Sequence, residues 1–102
     1  MSHAAVTDLM AEIAIQPGSV VSKVIHRDEH LDVTVFGFDA GEGLTEHRSP
    51  RNAIVQVLSG RLTATVDGKD LDAGPGFWLH MAPDTPHSLV AREPMMMLLT
   101  LA

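Results

Sequence analysis

The sequence predicts an all-β domain of short antiparallel strands, preceded by a short N-terminal helical segment. Apolar and polar residues alternate in segments such as 31–36 and 61–67, which is the pattern of half-buried strands. Turn-forming residues separate these segments at regular intervals, and Asp67-Gly68 is the strongest short signal for a hairpin. Eight or nine short strands with little helix are typical of a sandwich or a closed barrel.

The helical segment comes first in the chain. Four apolar residues share one helical stripe at the spacing i, i+3, i+4 and i+7: Val6, Leu9, Met10 and Ile13. The helix is expected to begin near Thr7 or Asp8 and to end at Pro17-Gly18. We expect it to pack against the rest of the domain.

The strands follow after Gly18. They are predicted at Ser19–Arg27, Leu31–Phe36, Ala53–Leu58, Arg61–Asp67, Phe77–Met81, Ser88–Ala91 and Met95–Leu101. The run Met95–Leu99 is apolar on both faces of its strand. A strand of that kind is covered by protein on both faces, so it lies either inside one subunit or at a contact between subunits.

Length and composition indicate the number of domains and argue against some classes of partner. A chain of 102 residues predicts one domain over residues 1–102, with an N-terminal arm (1–18) and a barrel (about 19–102). The net charge of −6, without a basic run, argues against nucleic acid and anionic membranes as partners. No apolar run approaches the roughly 20 residues of a membrane span. The first residues lack the features of a signal peptide, so a cytoplasmic location is expected.

Composition also limits the chemistry. The chain has no cysteine, which excludes a disulfide framework, a thiolate metal site and a cysteine nucleophile. It has no tyrosine, so no phenol can act as a general acid. Six histidines remain as the main reactive side chains. His3 is expected to be inert, and His26 and His30 flank a charged turn that reads as a solvated loop. The other three, His47, His80 and His87, lie in or beside strands that can converge in a small barrel.

The spacing of glycine and histidine resembles that of the cupin family. The first cupin motif is G-x5-H-x-H-x3-E-x6-G, and its frame runs here from Gly41 through His47 to Gly60. Ser49 stands in the place of the second histidine, and Ala53 in the place of the glutamate.

The second cupin motif, G-x5-P-x-G-x2-H-x3-N, is matched at Gly76 and His87. Its proline is displaced to Pro83, while Asp84 and Ala91 replace its glycine and asparagine. The resemblance covers about residues 19–102. It implies a small double-stranded β-helix, also called a jelly roll or cupin barrel, and a homodimer.

The resemblance also implies a metal site, which cupins build from three histidines and one glutamate. Only His47 and His87 remain at ligand positions here. Imidazoles suit Fe, Ni, Cu, Zn and Mn, so a divalent transition metal is the expected cofactor. Two neutral imidazoles leave its charge uncompensated, and affinity should be weak unless other groups join. His80 is the possible third ligand if it faces the barrel interior together with Trp78; facing outward, it is a surface or interface histidine.

Other polar residues have structural explanations beside functional ones. Arg48 and Arg51 flank Pro50 and could attract a carboxylate or phosphate, or be solvated loop charges. Asp67, Asp70 and Asp72 are expected to be solvated loop charges around the hairpin. Asp84 is expected to cap its own turn through a hydrogen bond from the backbone to its side chain.

Three functions are compatible with these residues, and whether the protein is an enzyme stays open. It could bind a divalent metal through His47 and His87, with weak oxygenase or isomerase activity on a small molecule. It could be a metal-free module that binds a small ligand such as a sugar or carboxylate in the barrel. It could also be a structural or regulatory dimer with a vestigial site.

Overall fold

The computed structural model describes residues 4–102, so His3 lies outside the described residues. Over that range the chain forms one helix, α1 (Leu9–Glu12), and nine strands. The strands are β1 (Val20–Arg27), β2 (Asp32–Phe38), β3 (Gly43–His47), β4 (Ala53–Ser59), β5 (Leu62–Val66), β6 (Lys69–Ala73), β7 (Trp78–Met81), β8 (His87–Ala91) and β9 (Met95–Leu101). No helix in residues 4–102 is long and apolar enough to cross a membrane.

The strands form two antiparallel sheets. The larger sheet has the order β1-β2-β9-β4-β7, and the smaller one has the order β3-β8-β5-β6. Strands that are distant in the chain therefore become neighbours, because β9 lies between β2 and β4, and β8 lies between β3 and β5. The predicted all-β jelly roll is confirmed.

The core fills the space between the two sheets. Its largest fully buried side chains are Phe38, Leu62, Met95 and Met97, whereas the equally buried Val35 lies on the outer face of the larger sheet, in register with Leu98. Alternation along β9 places Met95 and Met97 in the core and turns Met96 to the outer face of the larger sheet. Met96 is nevertheless only 5% exposed. Part of the outer face must therefore be covered within the chain itself.

The N-terminal arm provides that cover, in a form that differs from the predicted helix. α1 has four residues and begins, as expected, at Asp8, whose carboxylate accepts a hydrogen bond from the backbone N–H of Met10. It ends at Ile13 rather than at Pro17-Gly18. Ile13 and Ile15 alternate with exposed residues and pack on Gly37, where a Cβ would meet them at 3.1 and 3.3 Å. The extended chain places these two half-buried side chains together against the sheet, which a continued helix would not do.

Two carboxylates anchor this arm. Asp39 accepts hydrogen bonds from the N–H groups of Gly18 (2.7 Å) and Ala40 (2.8 Å), and these bonds lower the pKa of its carboxyl. Glu12 pairs with Lys23 at 2.8 Å and accepts from Thr7, which lowers the Glu12 pKa. The arm is thereby fixed to β1 and to the end of β2.

Strand β6 corrects the interpretation of two aspartates. Asp70 and Asp72 lie in a strand and not in a loop. They accept hydrogen bonds from the hydroxyls of Thr65 (2.7 Å) and Thr63 (2.9 Å) on the neighbouring β5. These pairs stabilise the hairpin, whereas Asp67 lies at its tip with a φ of 50°.

Candidate functional site

Two histidines meet on the smaller sheet. His47 ends β3 and His87 begins β8, and the two residues are direct partners in the antiparallel register. The register shifts between Leu44 and His47, which marks an irregularity in β3 just before the site. Such bulges re-aim a side chain at the end of a strand. The two rings lie edge to face with centroids 4.1 Å apart and an interplanar angle of 63°.

The same arrangement holds each ring. Nδ1 of His47 lies 2.8 Å from the carbonyl oxygen of Thr45, and Nδ1 of His87 lies 2.9 Å from that of Thr85. A carbonyl oxygen can only accept a hydrogen bond, so Nδ1 is the protonated nitrogen of each neutral ring. Nε2 then keeps its lone pair in both rings. Metal-binding histidines in proteins are commonly held in this way.

The two rings differ in their access to solvent. His47 is exposed, whereas His87 is only 9% exposed. His87 also borders a cavity of about 20 Å³ inside the barrel. The other lining residues are almost all apolar: Val55, Leu62, Ala64, Val66, Phe77, Leu79, Met81, Ser88 and Leu89. This volume holds about one water molecule, so the inner side of the pair has no room for a larger ligand.

The other two positions of the family's ligand set supply no ligand. Ala53 is 2% exposed and is part of the apolar core. Ser49 accepts a hydrogen bond from the backbone N–H of Arg51 through its hydroxyl (3.1 Å). In the part of the chain that the structure describes, no group of three His, Asp or Glu side chains could hold a metal ion.

His80 does not join the pair. Along β7, Trp78 and His80 are exposed and Met81 is buried, so His80 lies on the outer face of the larger sheet. Its Nε2 lies 2.9 Å from the side-chain oxygen of Asn52, and its ring stacks on Trp78. Of the two orientations open to His80, the structure has the outward one. The side-chain oxygen of Asn52 is therefore bonded to His80 at the outer face of the larger sheet.

The two arginines beside Pro50 have different surroundings. Arg51 bonds the Asp32 carboxylate at 2.9 Å and the carbonyl oxygen of His30 at 3.1 Å. It therefore holds the turn between β1 and β2 and is not free to bind an anion. Arg48 is exposed, and its contact is to the carbonyl oxygen of Asp84 at 3.4 Å.

The charged turn between β1 and β2 is ordered by Asp28. Its carboxylate contacts Nε2 of His26 at 2.7 Å and accepts hydrogen bonds from the backbone of Leu31 and His30. The bond to His26 and the two backbone bonds hold the pKa of Asp28 far below its ordinary value. The side chains of His26 and His30 are exposed there, and neither ring lies in the pair at His47 and His87.

Two loops form the rim beside the pair. The backbone N–H of Asp84 donates to the carbonyl oxygen of Ser49 at 2.7 Å and joins the loops. The predicted cap is corrected here, because the Thr85 hydroxyl closes this turn on the Ala82 carbonyl (2.8 Å). Asp84 instead takes up a positive φ of 66°. Aspartate tolerates this left-handed conformation better than most residues do.

Sequence reasoning missed the carbonyl groups of Thr45 and Thr85. Every residue has a carbonyl, so the residue type gives no signal for this role. The only indication is positional, since each carbonyl lies two residues before its histidine.

Comparison with known proteins agrees with the fold described above. The family model for the cupin domain matches residues 34–101. SPY1581, a conserved protein of unknown function from Streptococcus pyogenes, is 33% identical with a TM-score of 0.88; the alignment covers 100% of this chain and 90% of that one. A Cupin 2 conserved barrel domain protein from Leptotrichia buccalis is 32% identical with a TM-score of 0.89; 94% of this chain covers 47% of that protein.

KdgF from Halomonas sp. shares the fold at 22% identity, with a TM-score of 0.80 over 98% of this chain and 94% of that one. No curated protein matches this sequence.

Proposed function

The chain belongs to the cupin family, and on that premise we propose that it binds a divalent transition metal ion through Nε2 of His47 and of His87. A small molecule then binds beside His47 at the outer side of the pair. The observation that carries this proposal is the pair of hydrogen bonds from Nδ1 to the carbonyls of Thr45 and Thr85. They leave both Nε2 atoms with free lone pairs in adjacent rings.

The two imidazole nitrogens favour certain metal ions and predict a modest affinity for them. Neutral imidazole suits Fe, Ni, Cu, Zn and Mn, whereas Mg and Ca favour oxygen ligands. Protein zinc sites usually have three or four protein ligands, and this pair supplies two. Water or an oxygen donor of the small molecule would have to supply the remaining ligands. A metal ion at this pair would supply Lewis-acid chemistry to the small molecule.

The small size of the cavity supports a binding position outside the barrel. The space inside the barrel is about 20 Å³, which is too small for a sugar or a carboxylic acid. His47 is exposed and lies beside the exposed Arg48. An acidic or phosphorylated small molecule would therefore reach the pair from the side of His47 and Arg48, where the positive charge of Arg48 favours it.

A metal-free role is the second candidate. Its support is the replacement of the family's carboxylate position by Ala53, which is buried among apolar side chains. Two facing imidazoles without a metal can accept hydrogen bonds through Nε2, or can hold a small anion when protonated. A purely structural role for the domain is the third.

Metal analysis of protein prepared without an affinity tag separates these candidates. The protein is dialysed against each of Fe, Ni, Cu, Zn and Mn in turn, and bound metal per chain is measured. We expect at least one of these ions to bind near one per chain, and binding to be lost in His47→Ala and in His87→Gln. His80→Ala is the matched control, because His80 lies on the outer face and should not affect metal binding.

Protein that stays empty with all five ions contradicts the metal proposal. Equal loss of metal in His80→Ala would contradict it as well. In the empty case, NMR shifts of the His47 and His87 rings on addition of acetate or phosphate would support the metal-free role. An empty protein without such shifts would leave the structural role.

A further inference from the structure

The cavity behind His87 is bordered by one donor atom that the proposed metal site leaves unused. Of the residues that line it, only His87, Ser88 and Met81 have a nitrogen, oxygen or sulfur atom in the side chain. Along β8, Ser88 alternates with the inward-facing His87 and Leu89, so its hydroxyl points to the outer face of the smaller sheet. The inward-facing donors at this cavity are therefore the imidazole of His87 and the thioether sulfur of Met81.

Met81 ends β7 and faces the core. It is 3% exposed, and it belongs to the same core cluster as Ala53, its direct partner in the antiparallel register of β7 and β4. Residues that oppose each other in this way have Cβ atoms about 5 Å apart, so Met81 lies beside a position that supplies no ligand. A methionine side chain is unbranched and flexible, so its sulfur can turn toward a neighbour without a change in the backbone.

The charges around the histidine pair favour a singly charged metal ion. In residues 4–102 no group of three His, Asp or Glu side chains could hold a metal ion, so no carboxylate joins the two imidazoles. Arg48 follows His47 in the chain and adds a positive charge on the exposed side. Transfer of an ion from water into protein costs more as its charge rises, and only neutral donors compensate this cost here.

The softness of the donor atoms leads to the same ion. Thioether sulfur is a soft ligand that suits Cu(I), and imidazole suits copper as well. The chain has no cysteine, so methionine is its only source of a sulfur ligand. We propose that the pair binds copper as Cu(I), with the sulfur of Met81 as a third ligand beside Nε2 of His47 and of His87. This rests on the proposed function of the pair as a metal site.

A buried methionine also fills space in a core, so the test removes the sulfur and keeps the shape. Met81→Leu does this, because an exchange of methionine for leucine nearly conserves volume. Met97→Leu is the matched control, since Met97 is 1% exposed in the same core cluster but does not line the cavity. Thermal denaturation verifies that both variants fold.

Affinity is measured for Cu(I) and for Zn(II) on the same proteins. Cu(I) is kept reduced with ascorbate in the absence of oxygen, and a coloured Cu(I) chelator competes for it. We expect Met81→Leu to raise the Kd for Cu(I) by at least about 10-fold, since residues that only orient a metal ligand already contribute about 10–100-fold. The Kd for Zn(II) should change by less than about 3-fold, because protein zinc sites use imidazole, carboxylate and thiolate ligands. Met97→Leu should leave both values unchanged.

X-ray absorption at the copper edge provides a second readout. The Cu(I)-loaded wild type should show a sulfur atom bound to copper, which only methionine can supply in this chain. That sulfur signal should be absent in Met81→Leu and retained in Met97→Leu.

The outcomes distinguish the role of Met81 from the proposed function of the histidine pair. Cu(I) bound by Met81→Leu with wild-type affinity, or bound by the wild type without sulfur, overturns the role of Met81 but leaves the pair as a metal site. An equal loss of Cu(I) in Met97→Leu overturns it too, because the effect would then come from core packing. Binding of Cu(I) and Zn(II) that survives both His47→Ala and His87→Gln contradicts the metal site itself, and a wild type that binds neither ion contradicts both proposals.

Discussion

The rings of His47 and His87 lie with their centroids 4.1 Å apart, and each is held through Nδ1 by the carbonyl two residues before it. The two imidazoles thus share one tautomer, with Nε2 unprotonated. His80 is held through the opposite nitrogen, because its Nε2 contacts the side-chain oxygen of Asn52. That oxygen is an acceptor, so the His80 proton is on Nε2.

These tautomers can be measured. We expect ¹⁵N spectra, recorded above the ordinary histidine pKa of about 6.5, to show Nδ1–H for His47 and His87 and Nε2–H for His80. His80→Ala and His47→Ala identify the signals. An Nε2–H signal from either member of the pair would show that the carbonyl bonds do not hold the rings, and would remove the main support for metal binding.

Arg51 should contribute more to stability than Arg48. Arg51 is 32% exposed and bonds the Asp32 carboxylate and the carbonyl of His30, whereas Arg48 has one contact at 3.4 Å. We expect Arg51→Ala to lower the free energy of unfolding by about 1–2 kcal/mol, because hydrogen bonds to charged groups are lost. Arg48→Ala should change it by less than about 0.5 kcal/mol. Urea denaturation measures both; equal effects would mean that the Arg51 contacts are not formed in solution.

Gly60 and Gly18 form a matched pair for a test of backbone contact. Both have a positive φ, of 75° and 65°, but a Cβ on Gly60 would meet the carbonyl oxygen of Pro94 at 2.2 Å, whereas one on Gly18 would meet no atom within 4 Å. Alanine at either position incurs roughly 1 kcal/mol for the left-handed conformation. We expect Gly60→Ala to lose about 2 kcal/mol more, from the collision with the backbone. Similar thermal melting of the two variants would contradict the close approach of the Gly60 turn to β9.

Phe38 should be among the most sensitive core positions. It is 0% exposed and stacks on Phe36 at 5.9 Å. Phe38→Ala removes the ring and leaves a cavity, which is expected to lower the free energy of unfolding by about 3–5 kcal/mol. Met10→Ala is the control, since Met10 is 48% exposed on α1, and should change stability by less than about 0.5 kcal/mol. A loss near 1 kcal/mol in Phe38→Ala would mean that the core relaxes around the cavity.

Asp39 should make stability depend on pH in the acidic range. Hydrogen bonds from Gly18 and then Ala40 lower its pKa in the folded protein, below the value of about 3.9 in an unfolded chain. A group with a lowered pKa stabilises the folded state above its unfolded pKa, and this contribution disappears as the pH falls through the folded pKa. We expect wild type to be more stable than Asp39→Asn near neutral pH, and the difference to shrink below about pH 3.9. Denaturation curves over this range measure it, and a difference that persists unchanged in acid would assign the effect to something other than ionisation.

The sequence predicted the strands well where alternation and turn residues agreed. It predicted β6 poorly, because Asp70 and Asp72 look solvated until Thr63 and Thr65 on the neighbouring strand are seen to bond them. The arm was predicted as a longer helix for a related reason. Ile13 fits a helical stripe, but it also alternates with Ile15, and only the position of Gly37 decides between the two patterns.

The pairing of His47 with His87 followed from the cupin frame, and the structure places the two rings together. The direction of His80 could not be predicted. Alternation along the strand predicted that His80 and Trp78 share one face. Which face that is depends on the strands that lie beside β7 in the sheet, and β7 pairs with β4 over their whole shared length. The tautomers of the pair depend on main-chain geometry, which residue types do not encode.

The position of β9 has a consequence for synthesis of the protein. This strand is last in the order of the chain but lies in the middle of the larger sheet, between β2 and β4. During translation, β2 and β4 therefore emerge from the ribosome long before the strand that joins them. Until then their apolar faces and open edges are available to other nascent chains. The larger sheet can close only after Met95–Leu101 has been made and has left the ribosome, so its folding has to wait for the last of the nine strands.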